Sequence, residues 1–482
     1  MQIGGMSRRD EKGLLMKTGF FLRRGRAFVL VAAAGAVVSS AAAQPTVIYS
    51  NIVGDPTSQI PGGGTWDTDF SFFNISLSTS GEFWLVNFQD DNTDPEVLVA
   101  GSGLVGQTVL REDVDSFGGR LIEGIDSSAR INNAGQWVVG GDLDGSSSDD
   151  DVIIGGDLAG ASTVFAQEGG AIDDAYGFGS GNTWDTLDTT AIDQSGRVYW
   201  ISDGVDGPAF TNDTNEFIAT SDFGVLAQKG VDVPGNQPVP ARPFDDFDLD
   251  DLHVSDDGSQ WLVRGDIGTP TTDDDSLFVN GDIVIRENFT LTEVGITGAD
   301  ALTDVVDGLT GGIDQQFMAG NGDWYAFGQL VDDATNWAVR NGELIAASGD
   351  DIFPGAGETW DDPNNNIQDF SLLVGNGLGD YVLGGLTSTG DEVVVFNGLE
   401  EVLRSGDAVD LDGNGLLDDG LFIGSFEFQD TRLGDNLELF ALVDFVDAAG
   451  LDAGSGFITV VVPAPGSLGV LIVAATAAVR RR

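Results

Sequence analysis

The sequence predicts an all-β chain, and three observations carry that prediction. Gly accounts for 69 of 482 residues against 14 Pro, with 41% hydrophobic residues, a composition suited to many tight turns around a buried core. Short apolar and aromatic runs are punctuated by turn residues throughout the interior, with no convincing helix between the two ends. One pattern, a small-residue turn running into an aromatic strand, returns seven times.

At the N-terminus Arg8, Arg9, Lys12, Lys17, Arg23, Arg24 and Arg26 precede the apolar run Ala27 to Val38 and then Ser39-Ser40-Ala41-Ala42-Ala43. That order of charge, apolar segment and small residues is the order of a secretory signal peptide, here cut by signal peptidase after Ala43. The run is shorter than the ~20 residues that span a bilayer. Residues 1–43 are thus expected to be removed on export, and residues 44–462 to form the folded body.

Within that body the turn glycines Gly81, Gly135, Gly196, Gly258, Gly322, Gly379 and Gly434 stand 54 to 64 residues apart. After six of them come Trp84, Trp137, Trp200, Trp261, Trp324 and Tyr381, large aromatics expected to pack between repeats. Further on, Asn280-Gly281, Asn341-Gly342 and Asn397-Gly398 mark two-residue type I′ turns, because both positions need positive φ. Each unit therefore reads as two hairpins, or four strands. Four antiparallel strands repeated seven times predict a seven-bladed β-propeller, with paired β-sandwiches as the competing reading. The fourth strand is found six times, ending at Arg111, Ala166, Ala227, Arg286, Ala346 and Arg404. The seventh unit stops after its third strand at Val462, and the missing strand stands at the start of the mature chain as Val47-Ile48-Tyr49. An N-terminal strand completing the last blade closes a ring, whereas sandwiches give no reason for such a permutation.

The C-terminus reads Pro463-Ala464-Pro465-Gly466-Ser467, then the apolar run Leu468 to Val479, then Arg480-Arg481-Arg482. A short apolar segment stopped by three cations predicts transient membrane contact with the arginines left on the cytoplasmic side. Residues 463–482 resemble the PEP-CTERM sorting signal in their Pro-x-Pro, apolar segment and Arg cluster, with Ala464 where that family has Glu. The resemblance implies processing by an exosortase-like enzyme and delivery to the surface, outer envelope or exterior of a Gram-negative bacterium. A plain C-terminal anchor is the alternative.

The 78 acidic residues against 21 basic ones, a net charge of −57, make nucleic acid an unsuitable partner. Cysteine is absent and His253 is the one histidine, which excludes Cys nucleophiles and Cys/His zinc sites. Beside acidic residues His253 would keep its proton to higher pH and can serve as acid or base, but no nucleophile or ligand spacing accompanies it, so a structural role is expected and no catalytic residue is assigned. Arg111, Arg286 and Arg404 share one place on the fourth strand, where cations discourage edge pairing and meet nearby acids.

The best local motif is Asp410-Leu411-Asp412-Gly413-Asn414-Gly415-Leu416-Leu417-Asp418-Asp419, which matches the first nine places of a calcium loop. Asp410, Asp412, Asn414, the Leu416 carbonyl and Asp418 or Asp419 are the expected ligands of a structural Ca²⁺, against an acidic surface turn as the alternative. Leu421 at the twelfth place excludes an EF-hand. A weaker echo runs from Asp142-Leu143-Asp144 to Asp149-Asp150-Asp151. Two functions follow: a non-enzymatic, surface-delivered propeller binding an extracellular polysaccharide or protein, or a secreted polysaccharide hydrolase or lyase on the same scaffold.

Overall fold

A computed structural model of the protein describes residues 44–462 apart from 67–73, 90–94, 127, 161, 238–240, 269–272, 308–311, 332–334 and 362–368. The signal-peptide and sorting-tail segments lie outside the described residues. Among the described residues no helix is long and apolar enough to cross a membrane.

Seven antiparallel sheets make a seven-bladed propeller. The inner strands, which line the channel, are Asn74–Leu77, Arg130–Ile131, Leu187–Ile192, Phe244–Val254, Gln315–Met318, Phe370–Gly375 and Leu421–Leu433. In the last blade Thr46–Ser50 pairs antiparallel with Asp452–Val461, so the N-terminal strand is the fourth strand of blade 7. Its side chains serve both faces: Val47 enters the core between blades 6 and 7, while Ile48 and Tyr49 enter the core between blades 7 and 1.

Among the described residues the hydrophobic interior forms seven clusters, one at each contact between neighbouring blades. The recurrent aromatics sit there as expected. Trp84 meets Phe457 of blade 7 edge-on at 5.3 Å, and Trp137 and Trp200 are fully buried in the next two contacts. The Asn-Gly turns take positive φ at both positions, 53° and 79° at Asn280-Gly281. Each turn Asn also accepts a hydrogen bond from the second strand's first amide, 2.9 Å for Trp261, Trp324 and Tyr381 alike.

The blades are clasped to one another by a device that recurs at the start of the third strand. A side-chain oxygen of Glu96, Asp151, Glu216, Asn336 or Glu392 accepts a hydrogen bond from the next blade's amide of Ile125, Leu187, Phe247, Asp369 or Phe426, at 2.6 to 3.3 Å. Leu187 and Asp369 stand where inner strands begin, and Ile125, Phe247 and Phe426 stand at or just before the interruptions of theirs, so these bonds hold amides at irregular places in the ladder. Outer edges are covered by the connections between blades: Asp410, Gly235 and Thr297 each form a parallel bridge to an outermost strand. Arg286 and Arg404 meet Asp273, Asp391, Glu401 and Glu358 rather than solvent.

Blade 2 departs from the four-strand expectation. Its inner strand is split into Arg120–Ile125 and Arg130–Ile131, both paired with Gln136–Leu143, and a short strand Ser116–Phe117 is added. The split comes from extra residues between Ile125 and Arg130, which the partner strand does not match. Long bulges stand at the same place in blade 4, between Phe247 and Leu252, and in blade 7, between Glu427 and Arg432.

Candidate functional site

In blades 2, 3 and 6 the turn that follows the inner strand is shaped by its first residue. Asn132 Oδ1 accepts from the Ala134 and Gln136 amides, Asp193 Oδ1 from Ser195 and Arg197, and Asn376 Oδ1 from Leu378 and Asp380. The turns after the inner strands meet across the propeller axis. Thr79 Oγ1 of blade 1 donates to Asp256 Oδ1 of blade 4 at 2.6 Å, and the Asp435 amide of blade 7 donates to the Thr79 carbonyl at 2.9 Å. Gly320 is required at this junction, because a Cβ there would lie 2.5 Å from both Thr79 Oγ1 and Asp256 Oδ1. One end of the channel is therefore sewn shut.

Behind this closure lies a central cavity of about 100 Å³, lined by all seven inner strands. Arg130, His253 and Arg432 line it together. They occupy one register position, opposite Val138, Leu262 and Phe440, each one residue before the apolar residue that enters the turn. His253 is buried, with its ring edge-on to Phe317 at 5.4 Å. Asp256 is the one acid in the described lining, and its Oδ1 is engaged by Thr79 and by Gln194 Nε2 at 3.0 Å.

A second cavity, of about 530 Å³, opens between blades 2 and 3 and is lined by Glu123, Asp142, Asp150, Asp151, Glu168 and Asp185 with Ser147 and Thr186. Oxygens of Asp150, Asp151 and Glu168 lie within 4.8 Å of one another, a spacing able to hold a metal ion. Burial and the neighbouring acids act in one direction on these groups. Asp151 is pushed up to about 6, and Asp126, half-buried beside them, to about 7. Of the weaker acidic echo, Asp142, Asp150 and Asp151 face this cavity, whereas Asp144 and Asp149 pair with Arg120 at 3.9 and 3.1 Å.

In the blade 6 to blade 7 connection Asp410, Asp412 and Asp419 bring their oxygens within 4.8 Å of one another. Asp410 is buried and tied by its backbone to the closing strand, through Val47 N to Asp410 O at 3.1 Å and Asp410 N to Pro45 O at 2.9 Å. Its carboxylate accepts from the Asn414 and Gly415 amides at 3.1 and 2.8 Å, and Asp419 Oδ2 accepts from Leu411 at 2.8 Å. Asn414 Oδ1 accepts from the Leu416 amide at 2.7 Å. Leu416 and Asp418 are exposed, and between Asp418 and Asp419 it is Asp419 that joins the cluster.

Arg130, Arg432 and Glu168 carry no local motif. The signal that finds the two arginines is alignment of the inner strands on the turn, which superposes Arg130-Ile131-Asn132, His253-Val254-Ser255 and Arg432-Leu433-Gly434.

No protein-family profile and no curated protein matches the chain. Among solved structures it is similar to a prolyl endopeptidase, at 13% identity and TM-score 0.35 over 79% of this chain and 47% of that one. It is similar also to polysaccharide lyase Uly1, at 13% identity and TM-score 0.38 over 87% and 97%. A third likeness is to prolyl oligopeptidase B from Galerina marginata, at 11% identity and TM-score 0.34 over 80% and 49%. The chain spans about half the length of both peptidases. At such identities and TM-scores these likenesses say nothing of what this chain binds or acts on.

Proposed function

We propose that the protein is exported by a Gram-negative bacterium and held at the cell surface or in its matrix, where the propeller binds an extracellular polysaccharide or protein without turning it over. The observation that carries this reading is the blind central cavity. Its described lining offers one carboxylate, Asp256, already engaged, where glycoside hydrolysis uses a pair. Export rests on residues 1–43 as a signal peptide and delivery on residues 463–482 as an exosortase-processed tail. A structural Ca²⁺ in the Asp410 loop, with the Leu416 carbonyl as a further ligand, would brace the closing strand that this loop touches.

A secreted polysaccharide lyase or hydrolase is the second reading, and one observation favours it: His253 shares a level with Arg130 and Arg432, a base beside cations able to neutralise the carboxylate of an acidic sugar. Incubation of the purified protein with washed cell-surface polymer and a polysaccharide panel separates the two. Retention without new reducing ends or unsaturated products is the expected result. Turnover that disappears in His253→Gln with the melting profile intact would replace binding by catalysis. Deletion of residues 463–482 should release the protein to the medium or periplasm, and unchanged surface retention would reject the tail as the address.

A further inference from the structure

The folded body leaves its last strand at the closed end of the channel. Val461 pairs with Glu438, and the Val462 amide donates to the Leu437 carbonyl at 2.8 Å, beside the turn whose Asp435 amide reaches Thr79. Thr46, at the start of the body, pairs with Thr459 toward the same end. The opposite end is built of the connections between blades and of the turns between second and third strands, such as that at 447–451, where the Asp447 amide donates to the Leu451 carbonyl at 2.8 Å. The acid-lined cavity between blades 2 and 3 lies at this opposite end. Asp142, Ser147, Asp150 and Asp151 stand on or beside the turn that joins Gln136–Leu143 to Asp151–Asp157.

Five residues, 463–467, separate Val462 from the apolar run that begins at Leu468. At roughly 3.3–3.6 Å per residue they bring Leu468 no farther than about 20 Å from Val462. The strand beside Val462, Glu438–Asp447, has 10 residues and at roughly 3.4 Å each spans about 30 Å. The tether is therefore shorter than the body it holds. With the apolar run in a membrane, the far end of blade 7 cannot rest on that membrane, because Val462 would then stand beyond the reach of its own tether. We infer that the propeller is held by its closed end, so that the turns after the inner strands face the cell envelope and the end carrying the blade connections and the acid-lined cavity meets the extracellular partner. A cut within residues 463–467 followed by attachment to a surface component gives the same orientation, since the point of attachment then lies closer still. This inference rests on residues 463–482 being the address, as in the proposed function, and adds which end of the molecule is offered.

The absence of cysteine makes the test direct, since each single substitution supplies the one thiol of the chain. Ala134→Cys and Ser147→Cys place it on exposed turns at the two ends of blade 2, before and after Gln136–Leu143. Ser259→Cys at the closed end of blade 4 and Ala448→Cys at the far end of blade 7 repeat the comparison. Each full-length variant is treated on intact cells with a bulky polyethylene-glycol maleimide that does not cross membranes, and its rate of labelling is divided by that of the same purified protein. Ser147→Cys and Ala448→Cys are expected to keep their rates on cells, and Ala134→Cys and Ser259→Cys to lose most of theirs. Insertion of about thirty Gly and Ser residues after Val462, a coil of about 30 Å, should restore the labelling of Ala134→Cys. Equal relative rates at the two ends would overturn the inference, as would protection of Ser147→Cys and Ala448→Cys alone, or protection of Ala134→Cys that survives the long linker. Should one variant of a pair fold poorly, the other at that end decides. Retention on cells that is unchanged by deletion of residues 463–482 rejects the address of the proposed function and the tether with it. Retention that depends on those residues, with equal labelling at both ends, rejects the orientation only.

Discussion

The two acidic clusters of this propeller use the same chemistry under opposite conditions. In the Asp410 loop the carboxylates are solvated or accept hydrogen bonds from the loop's own amides, with Asp412 and Asp419 exposed. Between blades 2 and 3 Glu168 is buried, Asp150 and Asp151 are half-buried, and desolvation and mutual repulsion push Asp151 and Asp126 up to about 6 and about 7. Water and backbone amides dissipate repulsion in the loop. Burial stores it in the cavity, as protons held into the neutral range.

The largest effect should come from breaking the ring beside the loop. Removal of residues 44–50 withdraws Val47, Ile48 and Tyr49, all nearly fully buried, from two interblade cores. It also removes the backbone partners of Asp410. At ~1.5–3 kcal/mol for each buried side chain, a loss of about 5 kcal/mol or more is expected. The exposed edge of Asp452–Val461 then invites association. Calorimetry and sedimentation check this, and a monomeric deletion variant with unchanged melting would contradict closure by this strand.

The next effect belongs to the raised carboxyls, beside the cavity at Asp126 and in blade 4 at Asp266. Asp126 rises from the ordinary 3.8 to about 7, and Asp266 in blade 4 rises to about 6 through burial and the nearby Asp274 and Asp275. Between pH 3.8 and these values the folded chain keeps protons that the unfolded chain has released. The native state binds more protons, so this contribution to stability is fully present below the unfolded value and is lost as pH rises through the folded one. Urea melts should show greater stability at pH 5 than at pH 8. Asp126→Asn should recover on the order of 1–3 kcal/mol at pH 8 and little at pH 5. A wild-type protein more stable at pH 8 than at pH 5 would refute the repulsive reading of these carboxyls.

The difference between the clusters also explains what was legible in the sequence. The propeller was, because its determinants are local and repeated: turn glycines, Asn-Gly pairs with both residues at positive φ, and a displaced strand whose absence at one end matched its presence at the other. The Asp410 loop was legible for the same reason, its acidic side chains lying within ten residues. The cavity cluster was not, because Glu168 joins Asp150 and Asp151 only through the pairing of Asp151–Asp157 with Ser162–Gln167. The basic level of the channel was hidden differently. Its three members lie in strands more than a hundred residues apart, and their common register depends on bulges that no turn signal announces. The Thr-Trp pairs at 65–66, 183–184 and 359–360 were missed too, although they repeat: each Thr bridges an earlier residue of its own connection, and each Trp is buried.

The smallest effect separates the two clusters as cation sites. A loop lacking the terminal bidentate Glu should hold Ca²⁺ with a Kd on the order of 10⁻⁴ to 10⁻³ M. At millimolar calcium that amounts to about 1 kcal/mol of stabilisation by mass action. The loop touches the closing strand through Asp410, so this increment should appear in the unfolding of the whole ring. Chelator-treated protein should therefore melt lower than the calcium-loaded form by a degree or so, to the order of magnitude set by the size of the domain. Asp412→Ala should abolish the difference and Asp151→Asn should keep it. The opposite pattern, with the calcium shift surviving Asp412→Ala and vanishing in Asp151→Asn, would move the ion to the cavity between blades 2 and 3, where a divalent cation would also lower the raised carboxyl values and flatten the pH dependence of stability.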